Sequence, residues 1–301
     1  MVRIIYYQSG KKSKEVLEKS FLHINGIGEK TEVQLWDLEI YNWYHLLGAE
    51  SLNFPKNKIQ LLIQGVNESI KQLDRGNVNY FSNGLPTNQH WRLFKDYKAD
   101  TAYLDIETTG LDIYNGIITT IALYDGTSIY YYVNGKNLHD FVDDIANYNI
   151  LVTYNGKCFD IPFIEHYFGI KLNQSQIDLR YVLKSLGYTG GLKQIEKQFG
   201  LSRVDLSEVD GLFAVYLWEE YQMNKNNNAL ETLLAYNIED VINLEYLMHK
   251  SYNLKLSNTP FEDKLKMEIP ERPNVPFSPD KKIISKIKRH RFLDNYFSMI
   301  N

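Results

Sequence analysis

The stretch TAYLDIETTGLDIYNGIITTIALYDGTSIYYYV, residues 101–133, decides the fold of this chain. It contains three short runs rich in β-branched and aromatic residues, which are TAYLDI, GIITTIALY and SIYYYV. Turns that contain Gly, Asn or Asp separate these runs. Such runs are typical of β-strands, and three of them in succession predict a β-meander.

Downstream of the meander, strands alternate with helices. We expect a helix near Leu138–Ala146, a short strand in the apolar run ILVTY at residues 150–154, and one more strand near Gln176–Leu179. Strands followed by alternating strands and helices predict an α/β fold, in which helices flank the faces of a mixed sheet.

The chain is long enough for one full core and a small accessory domain, since 44% of its 301 residues are hydrophobic. Asn, Gly and Pro cluster at residues 77–88 and mark a boundary. Five prolines between Thr259 and Pro279 predict an irregular linker. We therefore predict a small helical N-terminal region at 1–88, a central domain at 89–253, and a Pro-rich linker with a basic C-terminal helix at 254–301.

Several protein classes are excluded. The sequence has no signal-peptide pattern and no run of 18 apolar residues, so we expect a cytoplasmic protein that does not enter the membrane. The single cysteine, Cys158, excludes an internal disulfide and a thiolate zinc cluster. We expect Cys158 to pack as a small hydrophobic residue.

Charge is unevenly distributed along the chain. Residues 1–98 hold 13 Lys and Arg against 10 Asp and Glu, residues 99–250 hold 10 against 21, and residues 251–301 hold 10 against 6. The acidic centre is either an ordinary solvated surface or a place where carboxylates bind metal ions. In the second case the basic ends are suited to nucleic-acid phosphates.

Three acidic residues stand at the ends of predicted elements. Asp105 and Glu107 end the first strand, where a spacing of two places both carboxylates on one face. Two adjacent anions repel each other unless a cation lies between them, although a solvated strand end explains them equally well. Asp160 opens a helix after a Gly turn, either as a first-turn aspartate favoured by the helix dipole or as a metal ligand.

The predicted helix at Ala229–His249 carries a fourth carboxylate. Asp240 interrupts its apolar stripe, because three leucines lie within about 40° of it around the helix axis. If Asp240 is buried, it must be paired, protonated or metal-bound; otherwise it is partly exposed. Tyr236, one turn earlier, falls on the same face.

Together these segments resemble the three motifs of the DEDD superfamily of 3′-5′ exonucleases. The matching segments are DIET at 105–108, YNGKCFD at 154–160 and YNIED at 236–240. A tyrosine four residues before the last aspartate marks the DEDDy branch, and Ala235 stands where the DEDDh branch has histidine. The resemblance spans about residues 91–252. It is closest to the bacterial YprB-like, ribonuclease-H-like predicted exonucleases and extends to proofreading domains of family B polymerases.

The resemblance implies a ribonuclease-H-like fold and a metal-dependent 3′-5′ exonuclease with two divalent ions, Mg²⁺ or Mn²⁺. Asp105 would bridge both ions, Glu107 and Asp160 would support them, and Asp240 would complete the site. Tyr236 would orient the attacking water. The expected partner is a single-stranded or frayed 3′ end of DNA or RNA.

Matching motif positions also imply contacts with the substrate. Thr108 would meet the terminal 3′-hydroxyl, Leu111 would wedge against the terminal base, and Asn155 would fix the turn of the second motif. Asp178 is either an acid that supports the metal ligands from behind or an ordinary loop aspartate. Two alternatives stay open for the whole domain, namely an endonuclease on the same scaffold and a non-catalytic nucleic-acid-binding module.

Each end of the chain offers a candidate phosphate contact. The turn Gly26-Ile27-Gly28, with Lys30 after it, resembles a helix-hairpin-helix, whose backbone N–H groups suit phosphate; a purely structural hairpin explains it equally well. The run at 281–291 contains six Lys and Arg residues with isoleucines at helical spacing. It predicts a basic helix that binds phosphate or an acidic partner, or is merely solvated.

Overall fold

The computed structural model describes residues 14–203, 205–207 and 209–300, with side chains described as far as residue 290. The chain divides into two compact units, and the division falls between Leu85 and Pro86. The predicted domain limits after residues 88 and 253 remain predictions. Residues 1–13 of the predicted N-terminal region and the Arg291 side chain of the basic helix lie outside the described residues.

The N-terminal unit is helical. Its helices are α1 (Glu29–Asp37), α2 (Trp43–Gly48), α3 (Lys56–Asp74) and α4 (Val78–Gly84). Asn42 and Asn77 cap α2 and α4, because each side chain accepts a hydrogen bond from a backbone N–H of the first turn. Trp43 and Phe81 stack in the core with their ring centroids 6.0 Å apart. This aromatic contact joins α2 to α4.

The Gly26–Gly28 turn leads directly into α1, whose N-cap is Gly28. Gly26 has a φ of +84°, a left-handed conformation that glycine adopts without strain. A helix-hairpin-helix also needs a helix in front of this turn. Residues 14–28 contain only the three-residue 3-10 helix Leu17–Lys19, so the first helix of the expected motif is absent from the described residues.

The second unit is built on one five-stranded mixed sheet, as the sequence predicts. Its strands are β1 (Thr101–Thr108), β2 (Ile118–Tyr124), β3 (Ile129–Val133), β4 (Ile150–Thr153) and β5 (Ser175–Asp178). They lie in the order β3-β2-β1-β4-β5. The first three form the predicted antiparallel meander, and β4 and β5 add in parallel beside β1. β1 is therefore the central strand.

Helices cover both faces of this sheet. The α-helices of this unit are α5 (Phe141–Ile145), α6 (Asp160–Phe168), α7 (Leu179–Lys184), α8 (Leu192–Gln198), α9 (Gly211–Asn224), α10 (Asn227–Leu256), α11 (Glu262–Leu265) and α12 (Lys281–Ile300). α10 extends beyond the predicted Ala229–His249 at both ends. None of the helices in the described part of the chain is long and apolar enough to cross a membrane.

The two faces of β1 have different partners. Ala102, Leu104 and Ile106 pack in one hydrophobic cluster with residues of α5 and α6. Alternate strand residues point to opposite faces, so Asp105 and Glu107 lie on the other face. On that side the Asn237 side chain of α10 donates a hydrogen bond to Asp105. α10 therefore covers the face of β1 that carries the acidic pair.

The linker predicted as irregular from Thr259 to Pro279 contains the short helix α11, so that prediction is wrong for residues 262–265. The rest of this Pro-rich segment, residues 266–280, is irregular but not a free spacer. Met267 exchanges two hydrogen bonds with the Asn253 side chain near one end of α10, and the Asp280 N–H donates to Thr232 Oγ1 near the other. Arg272 contacts the middle of the helix, where it pairs with Glu239. The segment predicted as a linker thus follows α10 along most of its length.

The basic C-terminal helix α12 packs against the rest of its unit through its apolar residues and forms ion pairs through some of its charged residues. Three isoleucines of α12 are buried in the hydrophobic cluster of α9 and α10; they are Ile283, Ile284 and Ile287. Lys286 pairs with Glu220 at 2.8 Å, and Lys281 pairs with Asp205 at 2.9 Å. Part of the basic run therefore holds the helix to its own domain.

Candidate active site

One pocket of the second unit collects the residues that the three motifs predict. It is lined by the four acidic residues of the motifs, by Tyr236 and by the three candidate substrate contacts, and Asp210 lines it as a fifth acidic residue; the predicted residues are Asp105, Glu107, Thr108, Leu111, Asn155, Asp160, Tyr236 and Asp240. These side chains come from the end of β1, the turn after β4, the start of α6 and the middle of α10. Gly26, Gly28 and Lys30 belong to the N-terminal unit instead and are exposed there.

The end of β1 is shaped by an irregularity in its pairing with β2. Glu107 pairs with Thr120 but Thr108 pairs with Ile118, so the register shifts between these two strand residues. Such bulges bend a strand and turn its side chains, and they are common beside functional sites. The Thr108 hydroxyl then donates to the Gly110 carbonyl at 2.7 Å, which closes the polar turn after the strand.

The turn after β4 is held by Asp178. Its carboxylate accepts hydrogen bonds from the backbone N–H groups of Asn155 at 2.8 Å and Lys157 at 3.2 Å. Asn155 has a φ of +66°, and its side chain accepts a hydrogen bond from Arg180. At Gly156 a Cβ would meet Thr153 atoms at 2.4–2.7 Å, so only glycine fits there. Asp178 therefore supports the turn rather than standing free in a loop.

Cys158 lies in this same turn and is exposed, so the expectation that it packs as a buried residue is wrong. The turn carries its side chain toward the surface, and its Sγ lies 3.6 Å from Tyr181 Oη. Two residues later, Asp160 is the first residue of α6, as predicted. The Ile106 N–H of β1 donates to the Asp160 carboxylate at 3.3 Å, which ties the second motif to the first.

Asp240 is buried within the apolar stripe of α10, with 4% of its surface exposed. The sequence predicts that such a residue is paired, protonated or metal-bound, and its carboxylate forms an ion pair with Arg203. Tyr236, one turn earlier on α10, is 7% exposed and lines the same pocket. The middle of α10 therefore presents both predicted residues to the pocket.

Three carboxylates meet closely here. One oxygen from each of Asp105, Glu107 and Asp240 lies within 4.8 Å of the others, an arrangement that can hold a metal ion. Asp160 lines the same pocket outside this triad. Oxygen ligands of this type suit hard divalent cations such as Mg²⁺ and Mn²⁺. The donor set therefore fits the metal ions implied by the sequence.

Electrostatics in the pocket disfavour so many anions without a cation. Burial, followed by the charges of Asp240 and Asp160, raises the pKa of both Asp105 and Glu107 well above the usual value. Burial likewise raises the pKa of Asp160 to about 7. It raises the pKa of Asp240 to about 6, although the Arg203 charge opposes that shift. Divalent cations would remove this penalty by neutralising the carboxylates.

Burial also raises the pKa of the Tyr236 phenol well above its usual value, and the Asp240 and Glu107 charges add to the effect. The hydroxyl therefore stays protonated at neutral pH. A protonated phenol can donate and accept hydrogen bonds, which suits the positioning of a water molecule better than proton abstraction.

Comparison with models of protein families shows which family this unit belongs to. Residues 102–252, half of the chain, match the RNase H superfamily. The chain belongs to the RNase H superfamily. The matched stretch contains all four pocket carboxylates, Tyr236 and nearly the whole five-stranded sheet. This membership agrees with the mixed sheet flanked by helices.

Solved structures similar to this superfamily domain include a family B DNA polymerase from the hyperthermophilic archaeon Pyrobaculum calidifontis. It is 14% identical with a TM-score of 0.40, and the match covers 56% of this chain and 27% of the polymerase. The chain thus spans about a quarter of the polymerase. NrnC from Brucella melitensis is 17% identical with a TM-score of 0.38, covering 55% of this chain and 78% of NrnC. NrnC bound to pGG is 19% identical with a TM-score of 0.37, covering 57% and 81%. A search of curated proteins finds no match.

Asn237, which contacts the pocket residue Asp105, was missed by the sequence analysis. It is fully buried, donates to Asp105 Oδ2 at 2.7 Å and accepts from the Thr120 hydroxyl at 3.0 Å. It therefore fixes the orientation of one acidic side chain of this RNase H superfamily domain. The available signal was a second polar residue about 60° from Asp240 around the helix axis, inside the same apolar stripe.

Arg203 and Glu196 were missed as well. Arg203 follows α8 in an irregular stretch, 37 residues before Asp240, and no spacing in the sequence connects the two. Its guanidinium contacts both Glu196 and Asp240. Lys193 of α8 lines the pocket beside them, with its Nζ 5.2 Å from the Tyr236 ring centroid. Two cations therefore lie next to the four carboxylates.

Proposed function

We propose that this chain is a metal-dependent 3′-5′ exonuclease of the DEDDy type, which hydrolyses DNA or RNA from a 3′ end. One observation carries the proposal. Three buried carboxylates and the half-buried Asp105, from three separate motifs, line one pocket with Tyr236, and three of the four carboxylates converge to within 4.8 Å. The order and spacing of the motifs, with Ala235 in place of a histidine, favour the DEDDy branch and a YprB-like relative.

The metal ligands proposed are the four pocket carboxylates, Asp105, Glu107, Asp160 and Asp240. Divalent ions bound by them would make water a better nucleophile and offset the charge that develops on the phosphate. Within the chain, Asn237 holds Asp105 and the Ile106 N–H holds Asp160, so both carboxylates have a fixed orientation. The remaining residues then have to place the nucleic acid and the attacking water.

The pocket rim is suited to a terminal nucleotide. Leu111 is 84% exposed at the pocket although it is apolar, which favours a role as a wedge against the last base. Thr108 lines the same pocket, and its hydroxyl would meet the terminal 3′-hydroxyl. Asn155 fixes the turn that carries Asp160, and Tyr236 would orient the water through its protonated hydroxyl.

The N-terminal unit would add contacts that do not depend on base sequence. Gly26, Gly28 and Lys30 are exposed around the start of α1, where backbone N–H groups and the helix dipole favour phosphate. If this holds, Lys30→Ala weakens binding of a single strand in low salt and reduces its salt dependence, as measured by fluorescence anisotropy.

A direct test uses an oligonucleotide labelled at its 5′ end. We expect the chain to shorten it one nucleotide at a time in the presence of Mg²⁺ or Mn²⁺ and not in EDTA. Asp160→Ala is expected to abolish this activity. Asp143→Asn, a change on the exposed side of α5, is the matched control and is expected to retain it.

The same assay separates the rival functions. Cleavage of circular single strands would indicate an endonuclease, and binding without metal-stimulated hydrolysis would indicate a non-catalytic module. Matched DNA and RNA oligonucleotides, assayed side by side, define the substrate class. Equal rates for Asp160→Ala and Asp143→Asn would contradict the proposed site.

A further inference from the structure

Arg203 is a buried cation in contact with a pocket carboxylate. Its side chain is 4% exposed. Its Nε donates to one oxygen of Glu196 at 2.7 Å, while its Nη2 donates to the other oxygen of Glu196 and to Oδ1 of Asp240. One guanidinium therefore binds Glu196 in a two-point fork and still reaches Asp240.

Glu196 is itself held in place from the far side. The Asn243 side chain of α10 donates to Glu196 Oε1 at 2.8 Å, and Arg272 of the Pro-rich segment donates to the side-chain oxygen Oδ1 of Asn243 at 2.8 Å. Arg272 thus fixes Asn243, Asn243 fixes Glu196, and Glu196 fixes Arg203. The guanidinium therefore has little freedom to leave Asp240.

The same cation also lies beside the pocket tyrosine. The Arg203 Cζ is 5.4 Å from the centroid of the Tyr236 ring, within the range of a cation–π contact. Tyr236 and Asp240 are one helical turn apart on α10. Arg203 therefore contacts both of the residues that α10 presents to the pocket.

We propose that Arg203, anchored by Glu196, is a positioning residue for Asp240. It engages one oxygen of that carboxylate, so Asp240 has the other oxygen to offer a divalent ion and serves as a one-oxygen ligand in a fixed orientation. The inference rests on the proposed function, because it takes Asp240 to be a metal ligand. Partners that orient a metal-binding side chain commonly change metal affinity by about 10–100-fold when they are removed.

A purely structural role is the rival interpretation. A buried Glu196 needs a cation, and Arg203 would supply it whether or not Asp240 binds metal. The two interpretations differ when both members of the pair are neutralised together. Net charge near the pocket is then unchanged and Glu196 no longer needs a cation, while Asp240 loses its contact with Arg203. Loss of a neighbouring cation by itself favours Mn²⁺ binding at Asp240, so weaker binding reports the lost orientation of that carboxylate.

The test is therefore the double variant Glu196→Gln/Arg203→Met in the full chain. Calorimetry measures Mn²⁺ binding without nucleic acid, and thermal unfolding in EDTA measures stability. We expect a folded protein that binds Mn²⁺ about 10–100-fold more weakly than the wild type. The matched control, Glu220→Gln/Lys286→Met, removes the ion pair between α9 and α12 and is expected to bind Mn²⁺ as the wild type does.

A further variant, Arg203→Lys, keeps the test decisive if the double variant does not fold. Arg203→Lys retains the charge beside Glu196 but lacks the fork needed to reach both partners, and it is expected to weaken Mn²⁺ binding with little loss of stability. Wild-type affinity in the folded double variant, or in Arg203→Lys if the double variant does not fold, would overturn the inference.

Asp240→Asn distinguishes this failure from failure of the proposed function. If Asp240→Asn weakens Mn²⁺ binding and the Arg203 variants do not, Arg203 has no positioning role while Asp240 remains a ligand. If Asp240→Asn binds Mn²⁺ as the wild type does, Asp240 is not a ligand, and the inference about Arg203 is overturned together with that part of the proposed function.

Discussion

Asp105 and Glu196 are two carboxylates of the same unit, but their surroundings differ: Glu196 is paired with a cation, and Asp105 lies among other carboxylates. Glu196 is 2% exposed and shares both its oxygens with the Arg203 guanidinium, with Asn243 as a further donor. Asp105 receives one amide hydrogen bond from Asn237 and otherwise faces other carboxylates. Burial and these neighbouring anions raise the pKa of Asp105 well above its usual value.

The presence or absence of a cationic partner within the chain distinguishes a carboxylate that serves stability from a candidate metal ligand. Leaving a buried anion without a cation costs several kcal/mol, so a carboxylate kept for stability alone acquires a partner within the chain. Glu196 has such a partner in Arg203. Within the described part of the chain, the cluster of Asp105, Glu107 and Asp240 has one ion pair, from Arg203 to Asp240. The negative charge that Arg203 does not offset can be neutralised by cations from solution.

The same chemical change at the two positions should therefore have opposite effects. Asp105→Asn removes one anion from the cluster, and we expect it to raise the melting temperature of the metal-free protein. It should lower nuclease activity by about 1,000-fold or more, since a metal ligand is lost. Glu196→Gln breaks a buried ion pair and should lower the free energy of unfolding by about 3–5 kcal/mol.

Thermal and chemical unfolding in EDTA, together with the labelled-oligonucleotide assay, measure both effects. The comparison would fail if the two variants shifted the melting temperature in the same direction. It would also fail if Asp105→Asn kept its activity, because Asp105 would then have no role in binding metal.

A second prediction concerns Tyr236, whose ring centroid lies 5.4 Å from Arg203 Cζ and 5.2 Å from Lys193 Nζ. Tyr236→Phe keeps the ring and removes only the hydroxyl. We expect activity to fall by about 10–100-fold, because the attacking water is less well placed. Mn²⁺ affinity should stay at the wild-type value.

Rate measurements at saturating metal and Mn²⁺ calorimetry separate these effects. Weaker Mn²⁺ binding by Tyr236→Phe would make the hydroxyl part of the metal site instead. An unchanged rate would remove Tyr236 from the mechanism.

Much of the fold and the pocket could be predicted from sequence because the signals are local. The strand runs at 101–133 have composition and turns that predict a meander, and the D-x-E spacing places Asp105 and Glu107 on one face. A carboxylate in an apolar stripe identifies Asp240. In each case a short stretch of chain carries the physical reason for the structure.

The features that were missed depend on distant contacts. Arg203 comes close to Asp240 only because the chain between α8 and α9 returns to α10. The Pro-rich segment has the composition of a spacer, yet its polar groups find partners along α10. The helix expected before Gly26 was inferred from the turn alone, which does not specify what precedes it.

The smallest predicted effect is a dependence of stability on pH that metal should alter. In the folded metal-free protein the pKa of Asp160 is about 7 and that of Asp240 about 6, above the unfolded aspartate value. Between the unfolded value near 4 and about pH 7, the folded state therefore binds more protons than the unfolded chain. Its stability is highest below that window and falls as the pH rises through it.

We accordingly expect the melting temperature in EDTA to drop by about 5 °C between about pH 5 and pH 8. Mn²⁺ should raise the melting temperature more at about pH 8 than at about pH 5, because ionised carboxylates bind the cation without first losing a proton. Asp105→Asn should flatten the slope in EDTA, since one anion is gone from the cluster. A stability in EDTA that rises over this range would mean that the carboxylates are already compensated within the chain, as Glu196 is, and the contrast between the two regions would disappear.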